Sequence, residues 1–304
     1  MLTPEVFMSR ILVSGLLNFE TTARIRGFPV PYYPIDYDFF GVNSTLSGVA
    51  FNIAKALTIL GDDARLASII GKDPTAELFY KELERTGIKT DLIVQKLKDT
   101  PASVVLYDEN GRRQIYCDLK DIQETPYDFS ESMLDGVDAV VACNINFSRP
   151  LLEAARRRHK LIATDVHVLS NPDDDYNRDF MSHADILFLS DEGIGSDKKE
   201  FVRSLGERYR NQVIILGMGS SGALLYLPQQ NVMIEQPACH VDNVKNTVGA
   251  GDALFSSYLH YHLCGFEPVE ALRRAQLFAA LKIRSAGAAE GFVSAGEIER
   301  LISA

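Results

Sequence analysis

Short apolar, β-prone runs recur between stretches with helical spacing, and this alternation constrains the chain more than any other feature. Arg10 to Ser14 reads as a buried strand. Val49 to Leu60 reads as a helix, with Phe51, Ala54 and Leu57 on one face and Gly61 as its stop. Arg65 to Ile70 is the next strand, ended by Gly71, and Pro74 to Arg85 the next helix, ended by Gly87. After an interruption the pattern resumes with Ala139 to Cys143, a helix from Pro150 to His159, and Leu161 to Thr164 ending at Asp165. Ile186 to Leu189 then runs into Ser190-Asp191-Glu192, and Val213 to Leu216 into Gly217. Strands interleaved with helices predict an α/β fold, a doubly wound, mostly parallel sheet flanked by helices. Ligands of such sheets bind beyond the carboxyl ends of the strands. Asn18, Asp165, Ser190 and Gly217 all fall just past such ends, so one cleft along that edge is expected.

Two segments break the alternation. Residues 21–45 are rich in proline and aromatics, including Pro29, Pro31, Tyr32, Tyr33, Pro34, Tyr37, Phe39 and Phe40, which favours edge strands and turns over a long helix. Ala102 to Tyr107 and Arg113 to Cys117 flank Asp108-Glu109-Asn110-Gly111, and Asn-Gly between β-prone runs signals a hairpin. Together they suit a small β-sheet lid, formed by about 19–45 and 100–118, on a single domain spanning 1–304. A structural flap or a subunit contact accounts equally for the aromatic residues.

The run Asn246-Thr247-Val248-Gly249-Ala250-Gly251-Asp252, followed by an apolar helix-like stretch to Cys264, carries the clearest chemistry. Glycines allow a tight turn and close approach of the backbone to a ligand. A helix starting near Asp252 would aim unpaired N–H groups and its positive dipole end at the same point, which suits a phosphate. Asp252 would then accept a proton from an attacking hydroxyl. The bland alternative makes it a helix N-cap.

A second cluster, Gly217-Met218-Gly219-Ser220-Ser221-Gly222, satisfies G-x-G-x-x-G, with Asp242 twenty residues after Gly222. A dinucleotide fingerprint needs a helix directly after the loop. Ala223 to Leu227, halted by Pro228, reads instead as a strand, so a hairpin is predicted and an NAD-dependent oxidoreductase is the weakest of the functional readings.

The net charge of −10 argues against a nucleic-acid binder, which needs clustered Lys and Arg, and the only basic run, Arg156-Arg157-Arg158, suits a solvated face at a helix end. Cys117, Cys143, Cys239 and Cys264 have no paired spacing and the histidines form no H-x-x-x-H pattern, so free thiols and a cytoplasmic protein are expected. His260 and His262 point to different faces of a helix, a poor metal pair. No apolar run approaches membrane-spanning length.

Asn246 to Asp252 resembles the signature Asp-Thr-x-Gly-Ala-Gly-Asp of the ribokinase-like (PfkB) carbohydrate and nucleoside kinases, and Ser47-Gly48-Val49-Ala50-Phe51-Asn52 is similar to their N-terminal Gly-Gly-x-x-x-Asn motif. Leu60-Gly61, Ile70-Gly71-Lys72-Asp73 and Gly87-Ile88 follow in the family's order, so the resemblance covers nearly the whole chain. It implies transfer of the ATP γ-phosphate to a hydroxyl of a sugar or nucleoside, with Asp252 as catalytic base and the amides of Gly249, Ala250 and Gly251 as an anion hole. It implies that Asn18, Glu20, Gly48 and Asn52 bind the acceptor, Glu20 standing where the family usually has aspartate, and that Gly217, Gly219, Gly222, Asn246 and Thr247 line the nucleotide. ATP, Mg²⁺ and a monovalent cation are the implied cofactors, and pairing of lids the implied route to a homodimer.

The chain departs from the pattern at three places. Asn246 replaces the signature's first aspartate, and Gly217 stands where a threonine begins the glycine turn. The family's Asn-x-x-Glu aligns with Ser190 to Gly193, leaving Asp191 or Glu192 as substitutes toward Mg²⁺. These departures keep a rival in view, a catalytically silent relative that senses a sugar or nucleotide.

Overall fold

The computed structural model describes residues 8–109 and 112–303. In chain order its strands are β1 (Arg10–Ser14), β2 (Asn18–Arg24), β3 (Val42–Ser47), β4 (Asp63–Gly71), β5 (Ile93–Leu97), β6 (Ala102–Tyr107), β7 (Arg113–Asp118), β8 (Ala139–Ala142), β9 (Leu161–Val168), β10 (Ile186–Ser190), β11 (Val213–Gly217), β12 (Ala223–Leu227) and β13 (Val232–Gln236). The helices are α1 (Val49–Leu60), α2 (Pro74–Thr86), α3 (Arg149–Arg157), α4 (Arg178–His183), α5 (Lys198–Tyr209), α6 (Ala250–Leu263), α7 (Pro268–Lys282) and α8 (Ala295–Ser303).

Nine strands form one sheet in the order β13-β12-β11-β10-β9-β8-β1-β4-β5, parallel except where β12 runs against both neighbours. Side chains alternate between two apolar layers: Ile11 and Val13 of β1 face the cluster that holds α1, α2, α6, α7 and α8, whereas Leu12 faces the one that holds α3, α4 and α5. Burial on both faces explains why these strands read as continuous apolar runs. Local signals set the helix ends. Asp73 caps α2 by accepting from the Ala76 amide at 3.0 Å, Pro74 opens it, and Gly87 ends it in the left-handed region.

The smaller sheet has the order β3-β2-β6-β7. Its β6–β7 pairing is antiparallel, as the hairpin reading required, although the Asn110-Gly111 turn itself lies outside the described residues. Residues 25–41 between β2 and β3 contain no regular element, and Tyr32, Tyr37, Phe39 and Phe40 are exposed there. One face of the small sheet closes on the large domain, where Val105 packs with Val248 and Ala288. No described helix is long and apolar enough to cross a membrane.

Candidate active site

Asn18, Glu20 and Ser47 share a face of the small sheet because Asn18 pairs with Ser47 and Glu20 lies two residues along the same strand. Ser103 of β6 pairs with Glu20 and joins them. All four are buried. Asn18 donates from Nδ2 to Ser103 Oγ at 2.7 Å, yet its Oδ1 has no hydrogen-bond partner, and neither has Glu20 Oε1. Unpaired buried acceptors cost on the order of 1–3 kcal/mol each, so their persistence calls for donors arriving with a ligand. Burial, and then the charge of Asp252, push the Glu20 carboxyl above its usual range, against the lowering influences of Lys282, Ser47 and Arg113.

Gly48 begins α1 with φ of 109°, and a Cβ there would meet the Leu16 carbonyl oxygen at 2.4 Å. The close approach brings the start of β2 against α1. One turn into the helix, buried Asn52 donates from Nδ2 to Asp252 Oδ2 at 2.7 Å, across 200 residues of sequence.

Asp252 is 9% exposed and lies in the first turn of α6. It is not the cap: Gly249 occupies that position, and no side chain bonds to the helix start. Burial lifts the Asp252 carboxyl from 3.8 to about 6; the Asn52 bond pulls it down, Asp165 pushes it up, and His167 and Lys282 pull it down again. A carboxylate with that affinity is poised near neutral pH to take a proton.

Around it the backbone of residues 246–252 is fastened by two buried side chains, those of Lys282 and Asn246. Lys282, fully buried at the end of α7, donates from Nζ to the Val248 carbonyl, while Asn246 Nδ2 donates to the Ala286 carbonyl at 2.8 Å and Asn246 Oδ1 accepts from the Val248 amide at 3.0 Å. Ala250 N–H bonds the Thr247 carbonyl at 3.1 Å, whereas the amides of Thr247, Gly249, Gly251 and Asp252 find no acceptor among the described residues. Of the three donors expected here, Ala250 therefore closes the turn, while Gly249 and Gly251 are open and the Asp252 amide is open beside them. Gly249 has φ of 79°, and a Cβ on it would strike the Ala288 carbonyl oxygen at 2.4 Å. A Cβ on Gly251 would meet only the Phe188 ring, at 3.6 Å, so the fold does not demand glycine there.

The other predicted residues are placed differently. Gly217 ends β11, and a short 3₁₀ turn over Gly219–Ser221 leads into antiparallel β12 rather than a helix, so the dinucleotide fingerprint has no structural basis. Thr247 is exposed, and its carbonyl takes the Ala250 bond. Both ends of the Asn246 amide are engaged within the loop, so this side chain fastens the turn. Asp191 pairs with Lys198, and Glu192 pairs with Arg113 of the small sheet at 2.9 Å. No group of three or more His, Cys, Asp or Glu among the described residues is placed to hold a metal ion.

Sequence reasoning passed over Lys282 and His167. Asp165, expected just past a strand end, lies instead within β9, which runs on to Val168; it accepts from the His167 amide at 2.7 Å and lies 3.4 Å from its ring. Burial depresses the imidazole, but the Asp165 carboxylate outweighs it and lifts the ring to about 9. Lys282 follows an unbroken helical pattern and carries no motif; only its position within the fold marks it.

A family model described as pfkB family carbohydrate kinase matches residues 8–295. An ATP-dependent ribose-1-phosphate kinase of Halopiger xanaduensis is 26% identical over 289 residues, covering 92% of this chain and 94% of that protein. Among solved structures, a microbiome-derived acarbose kinase superposes with a TM-score of 0.84 at 22% identity, covering 98% of this chain and 99% of that one. A Burkholderia thailandensis nucleoside kinase in complex with inosine gives 0.80 at 18%, covering 96% and 97%. The chain belongs to the pfkB family of carbohydrate kinases.

Proposed function

We propose that this kinase moves the γ-phosphate of ATP to a hydroxyl of a sugar or nucleoside, with Asp252 as general base. The observation that carries the proposal is the juxtaposition of a buried carboxylate, raised to about 6, with the amides of Gly249, Gly251 and Asp252, which find no acceptor among the described residues. Asn52 holds Asp252 Oδ2, which leaves Oδ1 for the acceptor hydroxyl. As that proton passes to Oδ1, the hydroxyl oxygen attacks the γ-phosphorus in line, the bond to the β–γ bridging oxygen breaks, and ADP leaves. The amides of Gly249, Gly251 and Asp252 take up charge on the transferring group.

The unpaired Asn18 Oδ1 and Glu20 Oε1 suit a polyol that brings hydroxyl donors to both. Because these atoms are closed off from solvent, the small sheet must swing away for the acceptor to enter and return to exclude water, which makes it a lid. Mg²⁺ would arrive with the nucleotide, since phosphates and water commonly supply most of its ligands.

A panel of sugars, sugar phosphates and nucleosides incubated with ATP and Mg²⁺ tests the reading through ADP release. Turnover of at least one acceptor, abolished in Asp252→Ala, is expected. A ligand-sensing role is favoured by one observation, the ion pairs that occupy both Asp191 and Glu192. Calorimetric binding of an acceptor without any ADP release would replace catalysis by that role.

A further inference from the structure

Among the described residues Lys282 is the only lysine with no exposed surface; burial lowers its ammonium from 10.5 to about 8, and the neighbouring carboxylates hold it from falling further. Taking an ammonium out of water costs several kcal/mol unless carbonyls and carboxylates compensate. Its Nζ donates to the Val248 carbonyl, and it lies within electrostatic reach of Asp252 on α6, Glu20 on β2 and Glu290 beyond α7.

The bonded carbonyl belongs to the same peptide unit as the Gly249 amide. That unit is trans, since the cis bond among the described residues is Phe28-Pro29. In a trans peptide the C=O and N–H point in opposite directions and share one delocalised π system. A cation drawn onto the Val248 oxygen therefore turns the Gly249 N–H outward and withdraws electron density from it, strengthening it as a donor. That N–H is one of the loop amides that find no acceptor among the described residues. The neighbouring restraints are neutral: the Lys245 and Asn246 amides bond the Ile283 carbonyl, and Asn246 Nδ2 bonds that of Ala286.

We infer that Lys282 is a positioning residue whose buried ammonium polarises the 248–249 peptide, so that the Gly249 amide stabilises the transferring phosphoryl group. This rests on the kinase reading above. The charge acts through the peptide on an anion that is most negative in the transition state, so it should raise kcat more than it lowers KM.

Three variants separate charge from packing: Lys282→Arg keeps the cation, Lys282→Gln keeps a neutral donor to the Val248 carbonyl, and Lys282→Met keeps only the stem. With an acceptor that the wild type turns over, Met should lower kcat by about 10- to 10²-fold, somewhat less than deleting an anion-hole donor outright, with KM little changed. Gln should be intermediate and Arg near wild type. Calorimetry with ADP and with ADP–aluminium fluoride, a planar mimic of the transferring group, should show the Met and Gln variants losing affinity for the second alone. Should Met fail to fold, the Arg and Gln pair decides. Wild-type kcat in Gln, or equal loss of affinity for both ligands, would make Lys282 a strut and overturn the inference. A wild type that turns over no acceptor removes the kinase reading and this one together, whereas an active wild type with an equally active Gln variant removes only this one.

Discussion

Two glycine turns, 217–222 and 246–252, are equally conspicuous in the chain and are fastened differently. In the first, only backbone bonds within the turn hold it: the Met218 amide bonds the Gly222 carbonyl at 2.8 Å, Ser221 bonds Met218 and Gly222 bonds Gly219, while the Gly219 and Ser220 amides find no acceptor among the described residues. Its Gly222 is required by packing, because a Cβ would meet the Gln236 carbonyl oxygen at 2.1 Å. In the second, the side chains of Lys282 and Asn246 fasten the loop, and the amides of Thr247, Gly249, Gly251 and Asp252 stay open beside a buried carboxylate. Glycine content thus locates turns, but only the fold decides which charged groups stand beside their open donors.

The sharpest way to break this contrast is Asp252→Asn, which leaves the turn and the Asn52 contact region in place while removing the base. Turnover should fall by about 10²- to 10⁴-fold with the melting temperature nearly unchanged. A residual rate within tenfold of wild type would remove the catalytic role from the second turn. Next in size, Gly249→Ala and Gly222→Ala both force a Cβ onto a backbone oxygen at positive φ, and each should lose at least about 1–2 kcal/mol of stability in denaturant titrations. They should part company in kinetics. Folded Gly222→Ala should keep its kcat, whereas Gly249→Ala should lose it because an open amide is displaced.

The pH dependence sharpens the comparison further. Below about 6 the Asp252 carboxyl is protonated, so kcat/KM should drop by about tenfold per pH unit on the acid side. Stability should move the other way. The native carboxyl binds its proton more tightly than the unfolded one at 3.8, so this group's contribution falls as pH rises from 3.8 to about 6. Parallel acid limbs in activity and stability would show that unfolding, not the base, controls the rate. The smallest effect is expected from Gly251→Ala. With only the Phe188 ring at 3.6 Å it should cost well under about 1 kcal/mol, yet raise KM for ATP if phosphate packs against that backbone. Unchanged KM would place the nucleotide elsewhere.

Much of this arrangement was legible beforehand, and the misses follow a rule. Alternating apolar runs predicted the layered sheet because period and flanking glycines are local properties; β1 is observed at the residues predicted, and β12 as a strand where the helix of a dinucleotide site would have been. Asn52 and Asp252 were both singled out, but nothing in the chain said that they touch. That Asp191 pairs with Lys198 and Glu192 with Arg113 was not legible either, because those partners come from a following helix and a distant strand. Ala250 looked like an open donor because which amide closes a turn depends on its dihedral angles.

By itself, then, the amino-acid order determined the alternation of elements, the two glycine turns and the family's motifs, since each is written in neighbouring residues whose backbone preferences act over a few positions. Tertiary structure alone decided which amides stay unsatisfied, that a carboxylate at 252 is lifted to about 6, and that an ammonium from residue 282 lies against the carbonyl of residue 248. Those outcomes depend on desolvation and on distances of a few ångströms between segments far apart in the chain, and neither quantity exists until the sheet, the helices and the small sheet have closed together.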